Sequence, residues 1–153
     1  MNVEVLRYRQ RLDYLFQKAA DLVDMPEIQS HWARYLCILV SGYIETALRH
    51  LLVSYAETKS HPRVTRFVSR RLNRFENFNM EEILVLVGSF DRDWRKELER
   101  NLGDEVKAAI DGLVSVRNNI AHGRDVGIGI ETMRKYYENA SKLVDKLEAL
   151  CSS

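Results

Sequence analysis

The stretch Val116-Arg117-Asn118-Asn119-Ile120-Ala121-His122-Gly123 closes a run in which Val106, Ala109, Ile110, Leu113, Val116 and Ile120 recur at intervals of three and four. That is the period of one helix face, and it predicts a helix from about Asp104 to Ala121. Arg117 falls inside the apolar stripe. A guanidinium buried without a partner costs several kcal/mol, so this one must meet a carboxylate or face a cavity that admits an anion.

Working outward, the same periodicity recurs along the chain. Val5, Tyr8, Leu12, Leu15, Phe16, Ala19, Leu22 and Val23 predict an amphipathic helix from about Val3 to Val23, ended by Met25-Pro26. A second helix, from about Glu27 or Ile28 to Thr58, is apolar on nearly every face between Tyr35 and Tyr55 and reads as the centre of a bundle. Pro62 suits the first turn of a third helix reaching about Phe75, with Val64, Phe67, Val68, Leu72 and Phe75 inward. Asn79 with Glu82 forms a capping box for a short helix to about Val87, broken by Gly88. Asp91 caps another helix, which carries Trp94, Leu98 and Leu102 and is ended by a left-handed Gly103. After a glycine-containing connection from Gly123 to Gly129, a last helix from about Ile130 to Cys151 presents Met133, Tyr136, Tyr137, Ala140, Leu143, Val144, Leu147 and Leu150 on one face. No segment alternates with period two for long enough to be a strand. The expected fold is all-α, an up-and-down helical bundle with additional short helices inserted between core helices, forming one domain over residues 1–153.

Composition narrows the function classes. With 46% hydrophobic and 29% charged residues, the chain is of the ordinary globular kind. Cys37 and Cys151 have no CxxC neighbour, so no disulfide framework is expected and a reducing cytoplasm fits best. The longest apolar run, about ten residues near Tyr35 to Ile44, is half a membrane span, so no membrane is expected as a partner. His31, His50 and His61 lie far apart without HxxxH or HExxH spacing, so no metal is expected. No phosphate-cradling glycine loop or nucleophile elbow is present, and no cofactor is expected. Asn139-Ala140-Ser141 matches a glycosylation triplet but lies within a predicted helix.

Charge is unevenly spread. Lys59, Arg63, Arg66, Arg70, Arg71 and Arg74 lie between Thr58 and Phe75 with no acidic residue among them, in a chain whose net charge is +1. Arg63, Arg66, Arg70 and Arg74 fall at helical spacing and are the candidate RNA-binding surface, as sequence-independent contact with a phosphate backbone requires.

The arginine, four residues and histidine at Arg117 and His122, with Asn118 directly after the arginine, resemble the Arg-x4-6-His signature of HEPN domains. The form Arg-Asn-x-Ile-Ala-His-Gly, with Ser41-Gly42-Tyr43-Ile44-Glu45-Thr46-Ala47-Leu48-Arg49 upstream, looks most like the RiboL-PSP type. The resemblance covers most of the chain. It implies an all-helical, dimeric protein and a metal-independent RNA endonuclease of the toxin or defence kind. It also implies a neutralising antitoxin or, in a non-catalytic member of the fold, a nucleotidyltransferase partner.

The residue types suit that chemistry. Cleaving RNA without metal needs a base for the 2′-hydroxyl proton, an acid for the leaving oxygen and a cation for the charge on phosphorus. Histidine serves the first two near neutral pH, and arginine holds phosphate oxygens in pairs. Arg117 would therefore hold the phosphate and His122 would move protons, with Asn118 orienting one of them and Glu45 and Asn119 as supporting residues. One histidine cannot be base and acid at once, and a two-fold dimer supplies a second. Ideal geometry separates the pair by about 140° around the axis and about 7.5 Å along it. They converge only if the arginine arm swings or the helix unwinds near His122. Arg, His and Gly at a helix end are also ordinary C-terminal signals, and Glu45 has Arg49 as an alternative partner at i,i+4.

Overall fold

Asn2 starts the first helix by accepting hydrogen bonds from the N–H groups of Glu4 and Val5, donors that would otherwise be orphaned at a helix N-terminus. The computed structural model describes residues 2–153. Its helices in order are α1 (Val3–Ala20), α2 (Pro26–Lys59), α3 (Pro62–Leu72), α4 (Met80–Phe90), α5 (Arg92–Asn101), α6 (Asp104–Ala121) and α7 (Ile130–Cys151), with no strand among the described residues.

Helix α2 is the hub, packing against α1, α3, α6 and α7. Its 34 residues include Leu36, Val40, Tyr43, Ala47 and Leu52, all fully buried. As a whole it is long and apolar enough to cross a bilayer, more than the ten-residue run suggests, yet more than half of its most apolar stretch is covered by its neighbours. Two glycines let helices touch closely. A Cβ at Gly42 would stand 2.5 Å from the Tyr8 hydroxyl, and one at Gly112 would stand 2.6 Å from that of Tyr136, so these positions hold α1 to α2 and α6 to α7. Asn139 is only 4% exposed and donates to the Lys135 carbonyl, so the glycosylation triplet is out of reach of a glycan.

The structure departs from the sequence expectations at particular points. Helix α1 stops at Ala20, and Val23 is exposed. Gly88 does not break α4, which continues to Phe90. The roughly 1 kcal/mol cost of a helical glycine is outweighed there by burial of Leu86 and Val87 and by the approach of Arg95, whose Cδ lies 3.1 Å from where a Cβ would be. Gly103 is extended, not left-handed, and serves as the N-cap of α6. Helix α3 packs on α2 alone among the helices, so only one narrow face of it is covered. Leu72 is buried and Val68 and Phe75 are half-buried, but Val64 and Phe67 are 50% and 66% exposed.

Buried phenols and thiols tie the bundle to pH. Arg9 donates to the Tyr43 hydroxyl at 2.6 Å and to Asp145 at 2.8 Å, and the Tyr137 hydroxyl donates to Asp13 at 2.6 Å. Burial, reinforced at Tyr137 by the Asp13 carboxylate, raises the pKa of both phenols. Burial likewise pushes the Cys37 thiol from 9.0 up to about 12, against a smaller lowering by Arg117. Below the ordinary thiol range the folded and unfolded chains are equally protonated and stability is fully present. As pH rises from 9.0 toward about 12, the unfolded chain loses protons that the fold retains, so stability falls. Thermal melts followed by circular dichroism between those limits should show a declining midpoint, less steep in Cys37→Ala, whereas a level midpoint would contradict the burial argument.

Candidate functional site

Helix α6 ends because Gly123 adopts φ +68°, a backbone that L side chains rarely tolerate. Its N–H donates to the Ile120 carbonyl at 3.1 Å, and the Arg124 N–H donates to that of Asn119 at 2.9 Å, the paired bonds of a Schellman C-cap. His122 is the C-cap, with φ −91° and ψ 11°. The helical register is therefore given up at the histidine itself, which stands exposed.

Arg117 is half-buried. Among the described residues its guanidinium has no ion pair and no hydrogen bond. Its charge is felt by the Cys37 thiol of α2, which locates it on the α2 side of α6. Glu45 forms no ion pair with it among the described residues. The Glu45 carboxylate instead accepts the backbone N–H of Asn77 at 2.6 Å and does not pair with Arg49, whose Nε is buried without a partner among the described residues.

Asn77 is the residue that sequence reasoning missed. It lies in the loop between α3 and α4 with φ 58°, a left-handed conformation that asparagine accepts more readily than most residues. Its side-chain amide donates to Asn118 Oδ1. Glu45 and Asn118, on different helices, are thus joined through one loop residue. Beside them a cavity of about 10 Å³ is lined by Ser41, Glu45, Asn77 and Leu113, at the lower limit for one water, and the buried Ser41 Oγ and Asn77 Oδ1 have no partner among the described residues. Asn119 faces the other way, accepting from Arg124 Nη1 at 3.1 Å. The connection after α6 is further held by Arg34 on α2, which meets Asp125 at 3.0 Å.

Asn77→Gly separates these contributions, because glycine keeps the left-handed turn and the N–H to Glu45 while deleting the amide on Asn118. If Asn118 orients a reacting group, its loss should lower kcat about tenfold, the equivalent of one hydrogen bond, with KM and the melting midpoint nearly unchanged. Steady-state kinetics beside a melt checks this, and an unaltered kcat would leave Asn77 a purely structural residue.

Arg63, Arg66, Arg70 and Arg74 are all exposed, and none has an ion pair among the described residues. The acidic residues elsewhere in the chain leave this row uncompensated. His61 acts locally, its Nδ1 capping α3 by accepting from the Arg63 N–H at 3.2 Å. No three His, Cys, Asp or Glu side chains converge among the described residues as a metal cage would require.

An all-helical chain whose penultimate helix closes on an arginine, four residues and a histidine has the features of the HEPN class. The family model described as RiboL-PSP-HEPN matches residues 4–153, and the chain belongs to that family. No curated protein and no solved structure matches it.

Proposed function

We propose that this protein is a metal-independent RNA endonuclease acting as a homodimer, with Arg117 and His122 from two copies forming a composite site. The observation that carries the reading is the guanidinium of Arg117, a half-buried residue in an apolar stripe, which has no carboxylate partner among the described residues. A cation so placed is set to receive the phosphate of an RNA backbone. The 2′-hydroxyl oxygen attacks phosphorus as its proton passes to one His122. The bond from phosphorus to the 5′ oxygen breaks, and the leaving oxygen takes a proton from the second His122. The products are a 2′,3′-cyclic phosphate and a 5′-hydroxyl. Ile28, Tyr35 and Ile38 are exposed on α2, an apolar patch of the kind that suits a two-fold seam.

One observation favours a second reading. His122 has no side-chain hydrogen bond among the described residues to set its tautomer, as suits a non-catalytic dimeric module that binds RNA or a nucleotidyltransferase-type protein. Incubating purified protein with RNA in EDTA, beside His122→Ala and Arg117→Ala, separates the two. Cleavage that survives chelation and dies in both variants supports the nuclease; binding without cleavage supports the module. A toxin or defence role with a neutralising antitoxin is the biological setting proposed for the nuclease.

A further inference from the structure

Helix α3 carries an aromatic side chain where a merely solvated face would have none. At about 100° per residue, Phe67 lies within about 60° of Arg63, Arg70 and Arg71, on the cationic side of the helix and away from Leu72. It is 66% exposed, and those three arginines are exposed and unpaired among the described residues. Phe67 also lines an open groove of about 400 Å³ between α3 and α4, together with Arg71, Phe75, Val85 and Phe90 and with no acidic residue in the lining. The adjoining depression beyond Val85 adds Arg92 and Lys96, neither of them in an ion pair among the described residues, while Arg95 there is committed to Glu81 and Glu99.

The direction of α3 connects this surface to the site. Thr65, near its start, donates to the Ala56 carbonyl close to the end of α2, and Asn77, just past its end, donates to Glu45. The arginine row therefore runs back along α2 toward Asn118.

We infer that the α3–α4 groove binds single-stranded RNA, with an unpaired nucleobase stacked on Phe67 and the flanking phosphates on Arg63, Arg70 and Arg71. This rests on the RNA reading above and adds a strand selectivity to it. The charge selects a polyanion. The aromatic wall selects one whose bases are free to leave their stack, because a duplex presents only backbone to such a surface.

The test uses the full chain carrying His122→Ala, so that binding is read without cleavage, and a fluorescein-labelled twelve-nucleotide single strand beside the blunt duplex of the same sequence. The single strand should bind at least about tenfold more tightly. Phe67→Ala should weaken single-strand binding about tenfold and leave duplex binding alone, and Phe67→Trp should restore it. A 2-aminopurine in the strand should lose fluorescence on binding to the phenylalanine and tryptophan forms only. Equal affinity for the two RNAs, indifference to Phe67→Ala, or no binding of either RNA would overturn the inference. Its fate is separable from that of the nuclease. Stacking without cleavage by the unmodified chain removes only the nuclease, and cleavage with no effect of Phe67→Ala on binding removes only the platform.

Discussion

His122→Ala and Arg117→Ala are each expected to lower RNA cleavage about 10³-fold while leaving the fold intact. The size follows from the roles. A positioned proton-transfer group contributes roughly 10²–10⁴-fold, and one preorganised donor on a developing oxyanion contributes roughly 10²–10³-fold. The preserved fold follows from the surroundings. His122 is exposed at a C-cap whose geometry depends on Gly123, and Arg117 has no partner among the described residues that its removal would orphan. Arg117→Leu sharpens the contrast. An apolar side chain completes the stripe of Leu113, Val116 and Ile120 at this half-buried position, so the variant should melt about 2–4 °C higher, the shift that about 1 kcal/mol makes in a chain of this size, and be inactive. More stability with less activity is the signature of a residue kept for function. An Arg117→Leu protein that melts lower would instead identify Arg117 as a structural residue.

Ile38→Glu, alone or with Tyr35→Glu, is expected to yield a folded monomer with cleavage reduced at least about 100-fold. Both side chains are exposed on α2, at 39% and 45%, so a carboxylate there costs the isolated chain little, whereas two of them facing each other across a two-fold axis repel. The monomer keeps its own Arg117 and His122 but lacks the second histidine, and so loses the general acid or the general base. Analytical ultracentrifugation gives the mass and a fluorogenic RNA gives the rate. A monomer with undiminished activity would end the composite-site account, though not the family assignment.

The readable parts of the fold were those governed by local chemistry. The end of α6 and the starts of α7 and α3 follow from Gly123, Gly129 and Pro62 and from clean apolar stripes, and the register violation at Arg117 needs only a helical wheel to be seen. What escaped depends on neighbours that a sequence does not display. Phe67 reads as core because it recurs at helical spacing with Val64 and Val68, yet α3 has only α2 to pack on and exposes it. Gly88 reads as a breaker because the packing of Leu86, Val87 and Arg95 that holds it in α4 is tertiary. Asn77 carries no mark beyond turn chemistry in Glu76-Asn77-Phe78-Asn79, since its partners Glu45 and Asn118 are 32 and 41 positions away. The partner of Glu45 stayed open in the sequence for the same reason: a backbone N–H from a distant loop is invisible to charge counting.

The most direct measurement is the chemistry of the ends that the protein leaves on a defined RNA in excess EDTA, read by mass spectrometry. Attack by the 2′-hydroxyl on a phosphate held by Arg117 predicts fragments ending in 2′,3′-cyclic phosphate and beginning with 5′-hydroxyl, absent when Arg117 is alanine. Fragments with 5′-phosphate and 3′-hydroxyl ends, or an intact RNA under chelation, would contradict it.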